Sequence, residues 1–522
     1  MSDASIALNR FGLGARPGED VAGDPRKWLA GQIAAFDPRP QIIASQASSM
    51  QVAGDLADFY ERQRLLRQAN GGPLRQQRAA APPPSRPAGA QPGMADGAMM
   101  QAAPAMQDGM PGAQMTGASR PATPDSQPLY EGEDAAMRAR REARRQAQQS
   151  YVGMVSARAL TAITSPTPFA ERLVYFWANH FAVSVEKLEL VGLAGTMEFE
   201  AIRPHVMGKF GDMLNAVERH PAMLLYLDQA VSVGPNSMVA QRQRGRRSGL
   251  NENLAREIME LHTLGVRSVY SQADVTEFAR AMTGFTVAGI GRGPGARLAE
   301  GPPGSFLFAE RLHEPGTRTI LGRQWSQQGE EQAGAVLDHL ATHPATAKHV
   351  ATKLARHFAN DDPPAPLVAR LEKAFLSSGG DLPTVYRALI ASPECWAPQP
   401  AKFKSPWEWS ISAMRALGTQ QVQPNAVNGL MSQLGQPTWK PGSPAGWDDV
   451  AGAWAGPDAV MRRVEAAERM AARAKDTIDA RRRAAQLFPG ALSPATAQSI
   501  ARAESPGQGL ALMLVSPEFM RR

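Results

Sequence analysis

The sequence predicts an all-α protein, mainly helical with one small hairpin: a large single helical domain interrupted by a disordered insertion. Three observations lead there. Apolar residues recur at helical spacing through most of the 522 residues, punctuated by helix start and stop signals. Strand-like alternation is scarce, its best cases being 284–288 and 305–308, which read as the two arms of one hairpin. Composition collapses between 71 and 127 into Pro, Gly, Ala, Gln and Met, with too little bulky apolar content to offset the entropy of ordering. The chain therefore divides into an N-terminal helical part (1–70), the insertion (71–127) and the main helical domain (128–522).

Taken in order, Asp24-Pro25 opens a helix through Trp28, Leu29 and Ile33, and a second runs over 45–66. After the insertion an Arg/Glu/Gln-rich helix covers 132–164. Ser165-Pro166-Thr167-Pro168 separates it from a helix of large residues over 169–181. Ser271 followed by Asp274 has the pattern of a capping box, and Gly284 ends that helix. His343-Pro344 opens a helix to residue 360. Helices over 366–377 and 382–391 are parted by Gly379-Gly380, and 407–417 and 458–488 continue the pattern. An eight-residue echo, 389–396 against 513–520, marks two apolar helices stopped at Ser-Pro and is too short to establish a repeat.

Composition excludes several classes. Hydrophobic residues are 43% and charged residues 20% of the chain, ordinary for a globular protein, and no run approaches the roughly 20 apolar residues of a membrane span. The N-terminus shows no basic segment followed by an apolar one, so the expected location is cytoplasmic. Cys395 is the single cysteine; it rules out an internal disulfide and reads as a small buried hydrophobe. The net charge of +7 invites a nucleic-acid reading, but only ten of the 56 basic residues are Lys, and the densest Arg runs, 138–145 and 242–247, lack interleaved aromatics for base stacking. Solvated faces or loops are the better reading of those runs. The methionines of the insertion have neither regular spacing nor an accompanying His, so they read as linker rather than as copper ligands.

The residues with chemical potential concentrate in the helix 251–265. At 100° per residue, Asn253, Arg256, Glu257 and Glu260 fall on one side. Two glutamates three residues apart can share a proton or a divalent metal; the competing reading is an ion-pair row through Arg256. His262 points well away from both glutamates, which defeats comparison with a His-Glu-x-x-His zinc helix and suggests a core histidine satisfied by a backbone carbonyl. In 169–181, Asn179 and His180 interrupt a helix apolar nearly all round, so both need partners. His180 is either a ligand or base, or a packing histidine. Asp228 ends the apolar helix that follows His220-Pro221 and is a candidate ligand or a turn residue. His313-Glu314 sits in a Gly-rich connection where function or a turn are equally at home.

Several of these segments, in this order, carry a resemblance. Asn9-Arg10-Phe11-Gly12-Leu13-Gly14, Phe176-Trp177-x-Asn179-His180-Phe181, the run from His220 to Asp228, the run from Asn251 to Gly265, His343-Pro344-Ala345-Thr346-Ala347, Gly446-Trp447 and Ser516-Pro517-Glu518-Phe519 resemble the bacterial domain-of-unknown-function 1800 family nearly end to end. The resemblance implies one large helical domain. It also implies a partner, since such proteins are often encoded beside sulfatase-like proteins of the domain-of-unknown-function 1501 family, and many relatives carry export signals. Where that family usually has Thr-Gly-Trp this chain has Phe285, and where His-Asp is common it has His313-Glu314, which keeps a carboxylate.

Three functions are consistent with the sequence. In the first, a hydrolase or metal-assisted enzyme gathers His180, Asp228, Glu257 and Glu260 in a cleft, with Arg256 positioning an anionic substrate and Asn253 orienting a carboxylate. In the second, a non-catalytic binding or maturation partner of a sulfatase-like protein uses the same groups to fix helix packing. The third, a nucleic-acid binder, is disfavoured by the Arg distribution.

Overall fold

In a computed structural model that describes residues 1–21, 23–80, 127–242, 249–291, 293, 295, 300–474 and 477–522, the chain is 63% helix and 4% strand, which places it in the all-α class. The helices begin where the sequence supplies caps. Asp24 accepts from Arg26 N ahead of Pro25–Ala35, and Ser271 and Asp274 form a reciprocal capping box at Gln272–Met282. Proline occupies the first turn of Pro168–His180, Pro344–Phe358, Leu382–Ala391 and Pro406–Ala416, where its missing N–H costs nothing.

Three departures from the sequence reading have physical causes. The expected helix over 458–488 is two, Pro457–Arg473 and Ala480–Leu487, because Asp479 accepts from Arg481 N and Arg482 N and starts a fresh helix. The expected hairpin is present as β1 (Phe285–Val287) paired antiparallel with β2 (Phe306–Phe308), but a second follows, β3 (Arg318–Ile320) with β4 (Arg323–Trp325). Its turn residues, Leu321 and Gly322, both have positive φ, 52° and 71°; the reversal needs the left-handed geometry usually signalled by Asn-Gly, and here a Leu adopts it. Third, the helix 251–265 is α-helical only over Asn253–Glu257 and continues as a π turn over Ile258–His262.

Helices Ser49–Ala80 and Gln127–Thr164 flank the insertion, so residues 71–80 and 127 are helical backbone; residues 81–126 of the segment expected to be disordered lie outside the described residues. Two compact units result, one of 1–58 with 143–522 and one of 59–142. In the larger unit the buried helix Pro168–His180 runs through the core, with Phe169, Leu173, Trp177 and Phe181 fully buried. The first residues of the chain pack far down the sequence: the Arg10 guanidinium donates to Cys395 O and Gln399 O, both at 2.7 Å, while Ser412 Oγ and Arg415 Nε donate to Leu13 O and Gly14 O. Cys395 is completely buried, and burial pushes its thiol up to about 12, as expected of a structural cysteine. No described helix is long and apolar enough to cross a membrane.

Candidate functional site

The predicted residues separate into two groups. On the surface, Arg256 pairs with Glu252 at 3.1 Å and Glu260 at 3.5 Å and donates to Gln272 at 2.9 Å, which is the ion-pair row. Asn253 is exposed beside it, its backbone N–H capped by Asn251 Oδ1. Asp228 is exposed as well; it takes the left-handed conformation, φ 57°, and meets Lys187 at 2.7 Å, so it acts as a turn residue. Glu257 is half-buried, and its carboxyl is raised by burial, countered by His262 and reinforced by Glu260.

His180 belongs to the interior. His262 closes the π turn Ile258–His262 and lies in the core, apart from the surface row of Arg256 and Glu260. His262 is buried as expected, but Glu218 Oε1, itself fully buried, meets its Nδ1 at 2.8 Å where a backbone carbonyl was expected. The last carbonyls of a helix lack intrahelical partners. Here two imidazoles supply them: His180 Nε2 donates to His262 O and His349 Nε2 to Leu261 O, both at 3.0 Å. Burial, then the nearby Lys353, hold His180 far below the ordinary imidazole range and lower His349 to about 4. Both are therefore neutral donors near pH 7. Among the described residues no group of three or more His, Cys, Asp and Glu is placed to hold a metal ion.

Asn179 joins two of the sequence motifs. Its Nδ2 donates to Trp447 O at 2.8 Å and its Oδ1 accepts from Trp447 N at 2.7 Å, so the side chain clamps the backbone of the segment 445–450. Gly446 has φ 82°, and a Cβ there would lie 2.3 Å from Asn179 O; both facts restrict the position to glycine.

Under that clamped segment lies a cleft of about 170 Å³. Tyr175, Phe176 and Asn179 form one wall, Lys353, Arg356 and His357 of helix Pro344–Phe358 another, Ser405 and Glu408 the floor, and 447–450 the roof. Asp449 Oδ2 accepts from His357 Nδ1 at 2.7 Å, and Lys402, itself buried, meets Asp449 Oδ1 at 3.2 Å. Burial alone would raise Asp449, but His357, Lys402 and Arg522 outweigh it and bring the carboxyl down to about 2. Glu408 completes the capping box of helix Pro406–Ala416 with Ser405 and also receives Arg172 and, at 2.8 Å, Arg522. Those cations outweigh the burial that would raise it and hold it well below the carboxylate range.

Positive charge is in excess around this floor. Lys404 has no hydrogen-bond partner for its buried Nζ, and burial followed by repulsion from Arg172 lowers it to about 7. Fully buried Arg463 has a thioether, Met520, and the ring of Phe403 as its neighbours. Glu408 is thus the carboxylate shared among Arg172, Arg522, Lys404 and Arg463. On the wall, Lys353 forms neither a hydrogen bond nor an ion pair among the described residues, and burial, only partly countered by Asp449, lowers its ammonium to about 8. A second, smaller and largely apolar cavity adjoins the first through Tyr175, Asn179 and Trp447; there Arg158, neutralised by Glu198 at 2.8 Å, stacks over Trp407 at 4.2 Å.

The cleft is lined by none of Asn253, Arg256, Glu257, Glu260, Asp228 or His180, although Tyr175 and Phe176, which precede Trp177, and Asn179, which precedes His180, face it. Sequence reasoning passed over Lys353, His357, Glu408 and Asp449. Signals for three of them existed: His349, Lys353 and His357 form an i, i+4, i+8 polar stripe on an otherwise core-facing helix, and Ser405-x-x-Glu408 is a capping-box pattern.

No curated protein and no solved structure matches the chain. A family model does, over residues 6–521, which takes in both the clamp and every residue of the cleft. The chain belongs to the family described as protein of unknown function, DUF1800.

Proposed function

We propose that the cleft binds a small anionic molecule, a carboxylate or phosphate compound, with Lys353 and Arg356 as the groups that meet it. The observation that carries this reading is Lys353 itself: an ammonium facing a cavity with neither a hydrogen bond nor an ion pair, its charge offset only by the more distant Asp449. A charge that served only the fold would be paired. Beneath the cleft Arg172, Arg522, Lys404 and Arg463 outnumber the carboxylates Glu408 and Asp449, and the excess adds a positive field that a low-dielectric wall strengthens. The hydrolytic reading of the sequence is retained and moved from the Glu257/Glu260 face to this cleft.

The test is calorimetric titration of the full chain with succinate and with inorganic phosphate. At least one binds, and Lys353→Met weakens it by about tenfold or more, equivalent to about 1.4 kcal/mol. Absence of heat with both anions, or equal affinity in the variant, refutes the reading.

A second reading is favoured by one observation. His180 is bonded within the fold to His262 O, and Arg256 and Glu260 lie in a surface row. Under it those residues secure helix packing, and the protein is a non-catalytic partner of a sulfatase-like protein, the partner implied by the resemblance.

A further inference from the structure

We propose that His357, oriented by Asp449, is the general base of a hydrolytic reaction on an acyl ester whose acid portion carries a second, anionic group held at Lys353. The inference rests on the anion-binding reading of the same cleft and deepens it by naming the substrate class.

The geometry sets the roles. The Asp449 carboxyl is ionised and can only accept, so the 2.7 Å contact fixes the proton on His357 Nδ1. Nε2 is then the basic nitrogen, and it is without a hydrogen-bond partner in a residue that lines the cleft. This is the orienting half of an acid–imidazole–nucleophile arrangement, and a water drawn in from the cleft to the buried Nε2 supplies the third member. The groups facing His357 are Asp449, Arg522 and Glu408, and burial keeps the imidazole below its ordinary value, hence able to accept a proton near pH 7. Lys353 lies one helical turn before His357 on the same face, so an anion held there presents the rest of its molecule to the imidazole.

The step balances without a redox partner. Nε2 takes a proton from water as the water oxygen bonds to the acyl carbon. The tetrahedral intermediate collapses with cleavage of the bond to the leaving oxygen, and the imidazolium returns its proton to that oxygen. Asp449 stays ionised throughout and steadies the imidazolium.

The experiment compares mono-p-nitrophenyl succinate with p-nitrophenyl acetate on the full chain, reading nitrophenolate release, with succinate binding followed by calorimetry. The anionic ester is expected to be turned over with kcat/KM at least about tenfold higher than the neutral one, and Lys353→Met to raise KM with little change in kcat. His357→Asn is expected to lower kcat by about 100-fold or more while still binding succinate, which shows that it is folded. Asp449→Asn, which disturbs the tautomer, should lower kcat as well. Release no faster than the uncatalysed reaction, or a His357→Asn enzyme as active as the parent, overturns the proposal. If succinate binds in those cases, the anion site stands and the dyad falls; if the parent neither binds nor hydrolyses, both fall.

Discussion

Replacing Lys353 with methionine keeps most of the stem length and removes the charge, so it isolates what the ammonium costs in a ligand-free cleft. Burial lowers its pKa from 10.5 to about 8. At about 1.36 kcal/mol per unit, holding that charge in the fold costs about 3 kcal/mol net of the attraction of Asp449. The unfolded chain keeps the proton up to pH 10.5, the folded chain only to about 8, so the parent gains stability as pH rises through that window. Lys353→Met is therefore expected to be more stable than the parent by about 3 kcal/mol at pH 7, with the difference shrinking toward zero near pH 10.5. Urea unfolding of both proteins at the two pH values measures it. A variant of equal or lower stability at pH 7, or a gap that persists at pH 10.5, refutes the argument that this charge is uncompensated. Excess succinate narrows the gap at pH 7, because it stabilises the tighter-binding parent more than the variant.

Acid should act through the histidines: His180, His349 and His357 all sit below 6.5 because burial disfavours the charged form, so stability is full above pH 6.5 and is lost as pH falls toward about 4, the value for His349. His349 accounts for about 3 kcal/mol of this, and His349→Asn should flatten the fall in melting temperature between pH 6.5 and 4; an unchanged slope would contradict the assignment. At the clamp, Asn179→Ala removes two hydrogen bonds to Trp447 and is expected to cost about 2–3 kcal/mol, read by denaturant melts. Gly446→Ala should cost at least as much, since the added Cβ meets Asn179 O and the positive φ is strained; a variant as stable as the parent would show that the segment is not held as described.

The class of fold was legible because helical periodicity, proline at first turns and Ser/Asp caps all act locally. The helix over 382–391 and the Ser271–Asp274 box have the bounds and bonds that the sequence implies. The second hairpin was not, since nothing in Ile320-Leu321-Gly322 advertises a left-handed Leu. The site was half legible. Asn179 and His180 stood out because polar groups in an apolar helix must find partners, and they do. Which partners they find depends on segments about 80 and 270 residues away, and spacing carries no record of that. His262 is the core residue its place on the wheel implies, but its partner Glu218 lies 44 residues earlier, which spacing does not record. Lys353 was legible only as part of the stripe with His349 and His357, and Asp449 was hidden because an acid in a Gly-rich loop is, taken alone, what a solvated surface looks like.

The far-reaching bonds of the first residues have a consequence for how the protein is made. Phe11 and Leu13 are fully buried, yet the groups that enclose Arg10, Leu13 and Gly14 lie between Cys395 and Arg415. At about 5–20 residues per second, the ribosome needs roughly 20–80 s to deliver that part of the chain. For that interval the segment has only part of its final surroundings, with Phe169 against Phe11 and Arg172 on Gly12 O. It is made early and enclosed late, its last bonds closing only once residue 415 has been added.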